Sequence, residues 1–299
     1  MKIAVLGSLN MDLVAHVHHL PQPGETIISS RFQTIPGGKG ANQAVAAARL
    51  GAKVRMIGKV GGDSYGEQLL EGLAEAGIDT EGIEREGTTG MALINVSDQG
   101  ENQIVLVPGA NNEVTVAYAA HHHDILTDCD VLLVQLEIPL DTVAYAVQTA
   151  HRLGKRIILN PAPAQPLPEE ILRCIDTLTP NETELELLTG LPVKTLPEIE
   201  AAAQKLLPKG PGRVIVTLGE KGALLARADG TLHIPACQVA AIDTTAAGDA
   251  FTAAFAVAQG RGMADEEAIR FASKAAAIVV TRHGAQPSLP TLEEVEAFA

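Results

Sequence analysis

The chain has 299 residues, 46% of them hydrophobic and 19% charged, which excludes a disordered tail and a coiled coil. At ~150 residues per domain, the length suits one large domain or two ordinary ones, either with a sizeable core. The net charge of −14 is unfavourable for binding nucleic acid or an anionic membrane surface, but it leaves room for a local phosphate pocket.

No stretch reaches the ~18 apolar residues of a membrane span. The apolar run Ile3–Leu6 is one strand long and reaches Asn10 and Asp12 without a cleavage-like tail, so no export signal is expected. Cys129, Cys174 and Cys237 are far apart and odd in number, and they read as buried reduced thiols. A soluble cytoplasmic protein is the expectation.

Short apolar runs at Ile3–Gly7, Val54–Val60, Val131–Leu136, Arg156–Leu159, Thr177–Thr179 and Val214–Leu218 alternate with helical patterns at Ala41–Leu50, Ser64–Ala76, Leu140–Leu153 and Glu182–Leu188. Gly51, Gly77, Gly154 and Gly190 follow these helices and read as C-terminal caps. The alternation predicts an α/β fold, a doubly wound and mostly parallel central sheet flanked by helices.

Two regions break the pattern. Leu13–Ile35 opens on alternation, and Gly90–Val107 contains the hairpin signal Ser97-Asp98-Gln99-Gly100 between Met91–Val96 and Gln103–Val107. Both read as antiparallel excursions that form one small sheet. The prediction is a single domain over 1–299 with a lid from about 13–35 and 90–107, whose outer face would serve a homodimer. Further on, Gly222–Arg227, Thr231–Ile234 and Cys237–Ile242 read as short antiparallel strands, followed by Ala-rich helices at Ala247–Gln259 and Ala264–Arg282.

Pro36-Gly37-Gly38-Lys39-Gly40-Ala41-Asn42-Gln43 opens a helix, where glycines permit close backbone approach and first-turn N–H groups stand free for a ligand. It is no phosphate-binding P-loop, because Lys39 precedes the last glycine and no Ser or Thr follows in position. A plain tight turn explains it equally well. Gly7-Ser8-Leu9-Asn10 lacks the glycine-rich turn that a dinucleotide fold needs after its first strand.

Asp243-Thr244-Thr245-Ala246-Ala247-Gly248-Asp249 joins a strand to an Ala-rich helix. The amides of Ala246, Ala247 and Gly248 would form an anion hole, and Asp249 in the first turn is a candidate general base for phosphoryl transfer. An ordinary first-turn carboxylate favoured by the helix dipole fits Asp249 as well. Asn181-Glu182-Thr183-Glu184 is either a common acidic helix start or a site organising Mg²⁺ and phosphate. Gln135-Leu136-Glu137 and Asn160-Pro161-Ala162-Pro163 fall at strand ends, where ligands bind in open α/β sheets. His121-His122-His123 and His16, His18 and His19 read as surface polar residues, without the i, i+4 spacing of a zinc site.

In order and spacing, Gly7–Asp12, Gly37–Asn42, Asn181–Glu184 and Asp243–Asp249 together resemble the ribokinase family of sugar kinases over nearly the whole chain. Gln135–Glu137, Asn160–Pro163 and Thr281–Ser288 strengthen the likeness. The resemblance implies ATP-dependent phosphorylation of the 5-hydroxyl of D-ribose. Another sugar or a nucleoside (2-deoxyribose, fructose, adenosine) is the alternative, and a non-catalytic sugar-binding protein on the same fold is a further one.

By resemblance, Asn10, Asp12, Gly38, Lys39, Gly40, Ala41, Asn42 and Glu137 bind the sugar, and Asp249 is the base beside the hole at Ala246, Ala247 and Gly248. Asn181 and Glu184 serve Mg²⁺ and phosphate. Thr217, Leu218, Gly219, Glu220, Lys221 and Gly222 wrap ATP, together with Gly248, Asp249 and Ser273. At Ser273 the family commonly carries Asn, which puts that contact in doubt. Asp243, Thr245, Val279, Arg282, Gly284 and Ser288 match the ligands of a monovalent cation, K⁺.

Overall fold

The computed structural model describes residues 1–298. Among these, nine strands form the main sheet: β1 (Lys2–Leu6), β4 (Lys53–Val60), β5 (Asp79–Arg85), β8 (Val131–Val134), β9 (Arg156–Leu159), β10 (Thr177–Leu178), β11 (Arg213–Thr217), β12 (Ala223–Arg227) and β13 (Gly230–Ile234). Four others form a second sheet: β2 (Asn10–Val17), β3 (Arg31–Gly37), β6 (Gly90–Ser97) and β7 (Asn102–Val107).

The main sheet runs β13-β12-β11-β10-β9-β8-β1-β4-β5 and is parallel except where β12 and β13 turn back along one edge. Central strands in such a sheet are covered on both faces, which is why their sequences are nearly all apolar. Alternate residues of β1 feed different cores. Ile3 and Val5 pack with the helices Lys39–Arg49, Ala247–Gly260 and Asp265–Val280, while Ala4 and Leu6 pack with Leu140–Arg152 and Leu196–Leu206. Each fully buried large apolar side chain here contributes about 1.5–3 kcal/mol.

From β1 the chain moves to β4 and β5 on one side, and later to β8, β9, β10 and β11 on the other. The switch point between β1 and β8 opens a crevice at the carboxyl ends of the strands, where such folds bind ligands. Gly51, Gly77, Gly154 and Gly190 all have positive φ at helix ends, as expected of C-terminal caps.

Four expectations need correction. The small sheet, ordered β3-β2-β6-β7, is mixed: β2 and β6 run parallel. Both leave the body at the same place, with Asn10 opposite Gly90, and run outward side by side. Strand β2 also starts at Asn10, so Asn10 and Asp12 belong to the small sheet itself. Cys237–Ile242 is not a strand; it has no strand neighbour, and Ile242 and Asp243 donate instead to the Val280 carbonyl. Of the three cysteines, all free, only Cys129 is buried; Cys174 and Cys237 are half-buried.

Strand β5 and the helix Leu196–Leu206 carried sequence signals too weak to read. The first is an edge strand with little apolar alternation. The second is announced by a capping box, Thr195 with Glu198.

Candidate active site

The site is assembled where the turn after β1 meets the start of the helix Lys39–Arg49. The Ser8 carbonyl accepts from Ala41 N–H at 2.9 Å, and Ser8 Oγ accepts from Gly40 N–H at 3.3 Å. Glu137, just past β8, accepts from Ser8 Oγ at 2.5 Å and from Lys39 N–H at 3.0 Å. The first-turn amides expected to stand free for a ligand are therefore occupied by Ser8 and Glu137. What this helix offers a ligand is its side chains.

Asn10 lies almost fully buried at the base of the small sheet. Its Oδ1 accepts from Asn111 Nδ2 at 2.7 Å, so its own amide nitrogen remains to donate. Asn111 also closes a pair of bonds with the Leu9 backbone, at 2.8 and 3.1 Å. A Cβ at Gly90 would overlap both Asn10 Oδ1 and Asn111 Nδ2, so glycine is required there. A cleft of about 340 Å³ opens beside this pair, lined by Asn10, Asn111, Glu137, Leu106 and Pro108 among others. Asn111 escaped the sequence reading; its only signal is the run Gly109-Ala110-Asn111-Asn112 after a strand.

Asp12, Glu137 and Asp249 converge on this region, with Lys39 among them. Burial, then the charges of Glu137 and Asp249, push the Asp12 carboxyl up to about 7, against a smaller pull from Lys39. Burial pulls the Lys39 ammonium down, but Asp249, Glu137, Glu184 and Asp12 outweigh it and hold Lys39 charged. Asn42 donates from Nδ2 to Asp249 Oδ2 at 3.0 Å, and its buried Oδ1 lacks a partner. An orphan acceptor in such a place suits a ligand hydroxyl. Gly38, with φ +86°, is the N-cap that turns the chain into this helix.

Asp249 sits in the first turn of the helix Ala247–Gly260, buried. The N-cap is Ala246 at φ +62°, the one left-handed non-glycine among the described residues. Such backbone costs about 1 kcal/mol or more and tends to mark functional sites. Of the three amides in the expected hole, that of Ala247 donates to the Thr244 carbonyl at 3.2 Å. Ala246, Gly248 and Asp249 line a small cleft of about 190 Å³ together with Lys39, Asn181 and Glu184.

Asn181 and Glu184 form a reciprocal capping box on the helix Glu182–Thr189. Burial pushes the Glu184 carboxyl up, although the Asn181 bond and Lys39 oppose it. The capping reading of this motif is realised, and both residues also line the cleft. The buried carboxylate opens into a cleft that also holds a lysine and a helix N-terminus, a donor set that fits a magnesium–phosphate group.

A larger hollow of about 470 Å³ adjoins this cleft across Gly248. Thr217, Gly219, Glu220 and Gly222 form one wall, and Ser273 lies in another with Phe251. Leu218 is turned into the core instead, and Lys221 points to Glu182 at 3.6 Å. Cys237 also lines this hollow.

Asp243 ties the hole to the C-terminal segment. It accepts from Thr245 N–H at 2.9 Å, Thr245 Oγ1 at 2.6 Å and Gly284 N–H at 2.9 Å. Burial raises its carboxyl, but these bonds outweigh it and hold the group below the usual carboxylate range. Ser288 is buried nearby in sequence, and its carbonyl accepts from Arg282 at 3.4 Å. The Val279 carbonyl accepts from Arg282 N–H at 2.9 Å. Asp243, Thr245 and Gly284 are thus brought together, while the carbonyls of Val279 and Ser288 are engaged by Arg282. No cluster of three or more His, Cys, Asp or Glu poised for a metal ion occurs among the described residues.

A family model described as pfkB family carbohydrate kinase matches residues 1–292. The chain belongs to the pfkB family of carbohydrate kinases. Within it, the Haemophilus influenzae ribokinase is 46% identical over 298 residues, 99% of this chain and 97% of that protein. The Salmonella typhi deoxyribokinase is 40% identical over 301 residues, 100% of this chain and 98% of that one. The structure of Arabidopsis thaliana ribokinase complexed with ribose and ATP superposes with a TM-score of 0.93 at 35% identity, covering 99% of this chain and 98% of that one. As a member of this family the chain is an ATP-dependent sugar kinase, on the fold anticipated from its alternating elements.

The crowding of carboxylates gives a direct test. The Asp12 carboxyl carbon, followed by NMR in the ligand-free protein, should titrate with a midpoint near 7. Glu137→Gln should lower that midpoint by removing a neighbouring charge. An Asp12 midpoint near 4 in the unsubstituted protein would contradict the geometry described.

Proposed function

We propose that the chain transfers the γ-phosphoryl group of ATP to the 5-hydroxyl of D-ribose, giving D-ribose 5-phosphate and ADP. The observation that carries this reading is the placement of Asp249, buried between the amides of Ala246–Gly248 and the sugar-facing side chain of Asn42. Sugar hydroxyls need paired donors and acceptors; Asn10 and Glu137 offer them in one cleft, and Asp12 and Asn42 are assigned to the same hydroxyls. Of Gly38, Lys39, Gly40 and Ala41, Lys39 lines the adjoining small cleft with Asp249, and the backbone of the others builds the helix start that carries Asn42.

In the transfer, the 5-oxygen attacks the γ-phosphorus while its proton passes to Asp249. The bond between the γ-phosphorus and the β,γ-bridging oxygen breaks, and ADP leaves. A primary hydroxyl ionises far above neutral pH, so proton removal accompanies attack. The remaining demand is positioning and charge neutralisation. The hole amides take the charge developing on the γ-oxygens, and Lys39 in the same cleft adds a full positive charge.

Asn181 and Glu184 would organise Mg²⁺, which when bound neutralises phosphate charge. The hollow walled by Thr217–Gly222 and Ser273 would take the nucleotide. Asp243, Thr245 and Gly284, with carbonyls of Val279, Arg282 and Ser288, would hold K⁺, whose role is to stiffen the backbone of the hole. The small sheet acts as a lid that excludes water. Phe32, Leu93, Ile104, Val105 and Leu106 on that sheet are exposed, which supports a homodimer formed through it.

Ribose is favoured over 2-deoxyribose because the free Asn10 amide donor suits a hydroxyl that only ribose carries. A nucleoside fits poorly: with five Phe, three Tyr and no Trp, the chain offers little for stacking a base. The 2-deoxyribose reading stays in view because of the deoxyribokinase relative.

A coupled ADP-release assay over pentoses, hexoses and nucleosides decides among these. The highest kcat/KM should fall on D-ribose, and a higher value on 2-deoxyribose or adenosine would replace the substrate. With ribose, Asp249→Asn should lower kcat by about 10²–10⁴-fold, the usual loss of a general base. Retention of most of the kcat would refute the assignment.

The cation role has its own measurement. Titrating K⁺ into a buffer free of K⁺ and Na⁺ should raise kcat with a smaller change in ribose KM, and Asp243→Ala should abolish the response. A kcat already maximal without the ion, and equal in the variant, would rule out an activating site.

A further inference from the structure

Asp249 is gripped on both oxygens, and only one of the two grips comes from a residue assigned to the sugar. Asn42 Nδ2 holds Oδ2; Gln43 Nε2 holds Oδ1, also at 3.0 Å. Gln43 is fully buried and opens on neither the sugar cleft nor the nucleotide hollow. Its Nε2 also donates to Asn160 Oδ1 at 3.3 Å, and its Oε1 accepts from Gln135 Nε2 at 2.6 Å. Asn160 Nδ2 donates in turn to the Thr179 carbonyl at 3.0 Å. The chain of amides crosses the carboxyl ends of β8, β9 and β10 and ends on Asp249.

The sense of every bond is fixed. An ionised carboxylate only accepts, so Gln43 must face it with nitrogen, and its oxygen then needs a donor from behind. Gln135 supplies that donor at a cost, because its own Oε1 is left buried without a partner. Turning the Gln135 amide over would set two oxygens face to face. The space for Gln135 is made at Gly7, where a Cβ would overlap its amide group. The arrangement leaves one buried oxygen unpaired and needs glycine at position 7, which the Gly40 backbone requires as well.

We propose that Gln43 is a positioning residue for Asp249, oriented by Gln135 and Asn160. This rests on reading Asp249 as the base. Gln43 anchors Oδ1 permanently and sets the plane of the carboxylate. Oδ2 is then the oxygen that exchanges its Asn42 contact for the attacking hydroxyl. Substrate binding does not depend on Gln43; the alignment of Asp249 with the hydroxyl does, and misplacement by about 1 Å typically costs on the order of 10²-fold in rate.

The test is steady-state kinetics on the full chain with ATP, Mg²⁺ and D-ribose. Gln43→Leu should lower kcat by about 10–100-fold and leave both KM values within about twofold. In the Asp249→Asn background, the same change should cost nothing further, because Gln43 acts only through that carboxylate. Gln135→Met touches neither Asp249 nor the substrates and should reproduce a weaker form of the same kcat loss; it decides the matter if Gln43→Leu does not fold. An equal-fold loss from Gln43→Leu in both backgrounds, or a loss confined to KM, overturns the positioning role while leaving an inactive Asp249→Asn as support for the base. An Asp249→Asn enzyme with unimpaired kcat overturns the base and this role with it.

Discussion

One buried carboxylate, Asp249, joins two helices that belong to different halves of the chemistry. It rides on the helix Ala247–Gly260, whose N-terminus opens on the cleft with Lys39, Asn181 and Glu184, and it is held by Asn42 and Gln43 of the helix Lys39–Arg49. A charge with little water around it is tolerated only when its lone pairs are met. That demand ties the two helices together at this point. The parallel sheet makes the meeting possible by delivering Gly7, Gln135, Asn160 and Thr179 to the same end of adjacent strands.

The electrostatics follow from that arrangement. The chain is strongly acidic, and the carboxylates of Asp12, Glu137 and Asp249 crowd together, yet an ATP-dependent reaction brings a polyanion nearby. Lys39 is the resident cation between them, kept charged by Asp249, Glu137, Glu184 and Asp12. The hole adds backbone amides, which contribute partial charge without a side chain to order. Ala246 in left-handed backbone is the strain accepted for that geometry. Uneven burial separates the carboxylates by role: Asp12 is driven toward its neutral form, while Asp243, farther out and hydrogen-bonded by three donors, is held ionised.

Much of the candidate site was legible in the sequence because its motifs are local. Gly37–Asn42, Asn181–Glu184 and Asp243–Asp249 each place several groups within one turn of chain, so spacing alone carries meaning. Gln43, Asn111 and Ser8 were not legible as site residues, because their partners lie tens to hundreds of positions away. A lone Gln after Asn42 looks like any buried helix residue until Asp249 and Gln135 are seen against it. The main sheet was readable from apolar runs, since strands covered on both faces carry nearly pure signals. The edge strand β5, largely exposed and charged, carried almost none. The small sheet was readable as two excursions, but the parallel pairing of β2 with β6 depends on where both chains leave the body, which periodicity does not encode.

The position of the transferred group tests most directly whether Asp249, the amide hole and the sugar-side amides face one hydroxyl. The measurement is NMR of the product formed from ATP, Mg²⁺ and uniformly ¹³C-labelled D-ribose, read through phosphorus–carbon coupling. The expected result is coupling to C5 and C4, with the anomeric carbon free of any coupling to phosphorus. Coupling at C1, or ADP formed without any sugar phosphate, would contradict the geometry.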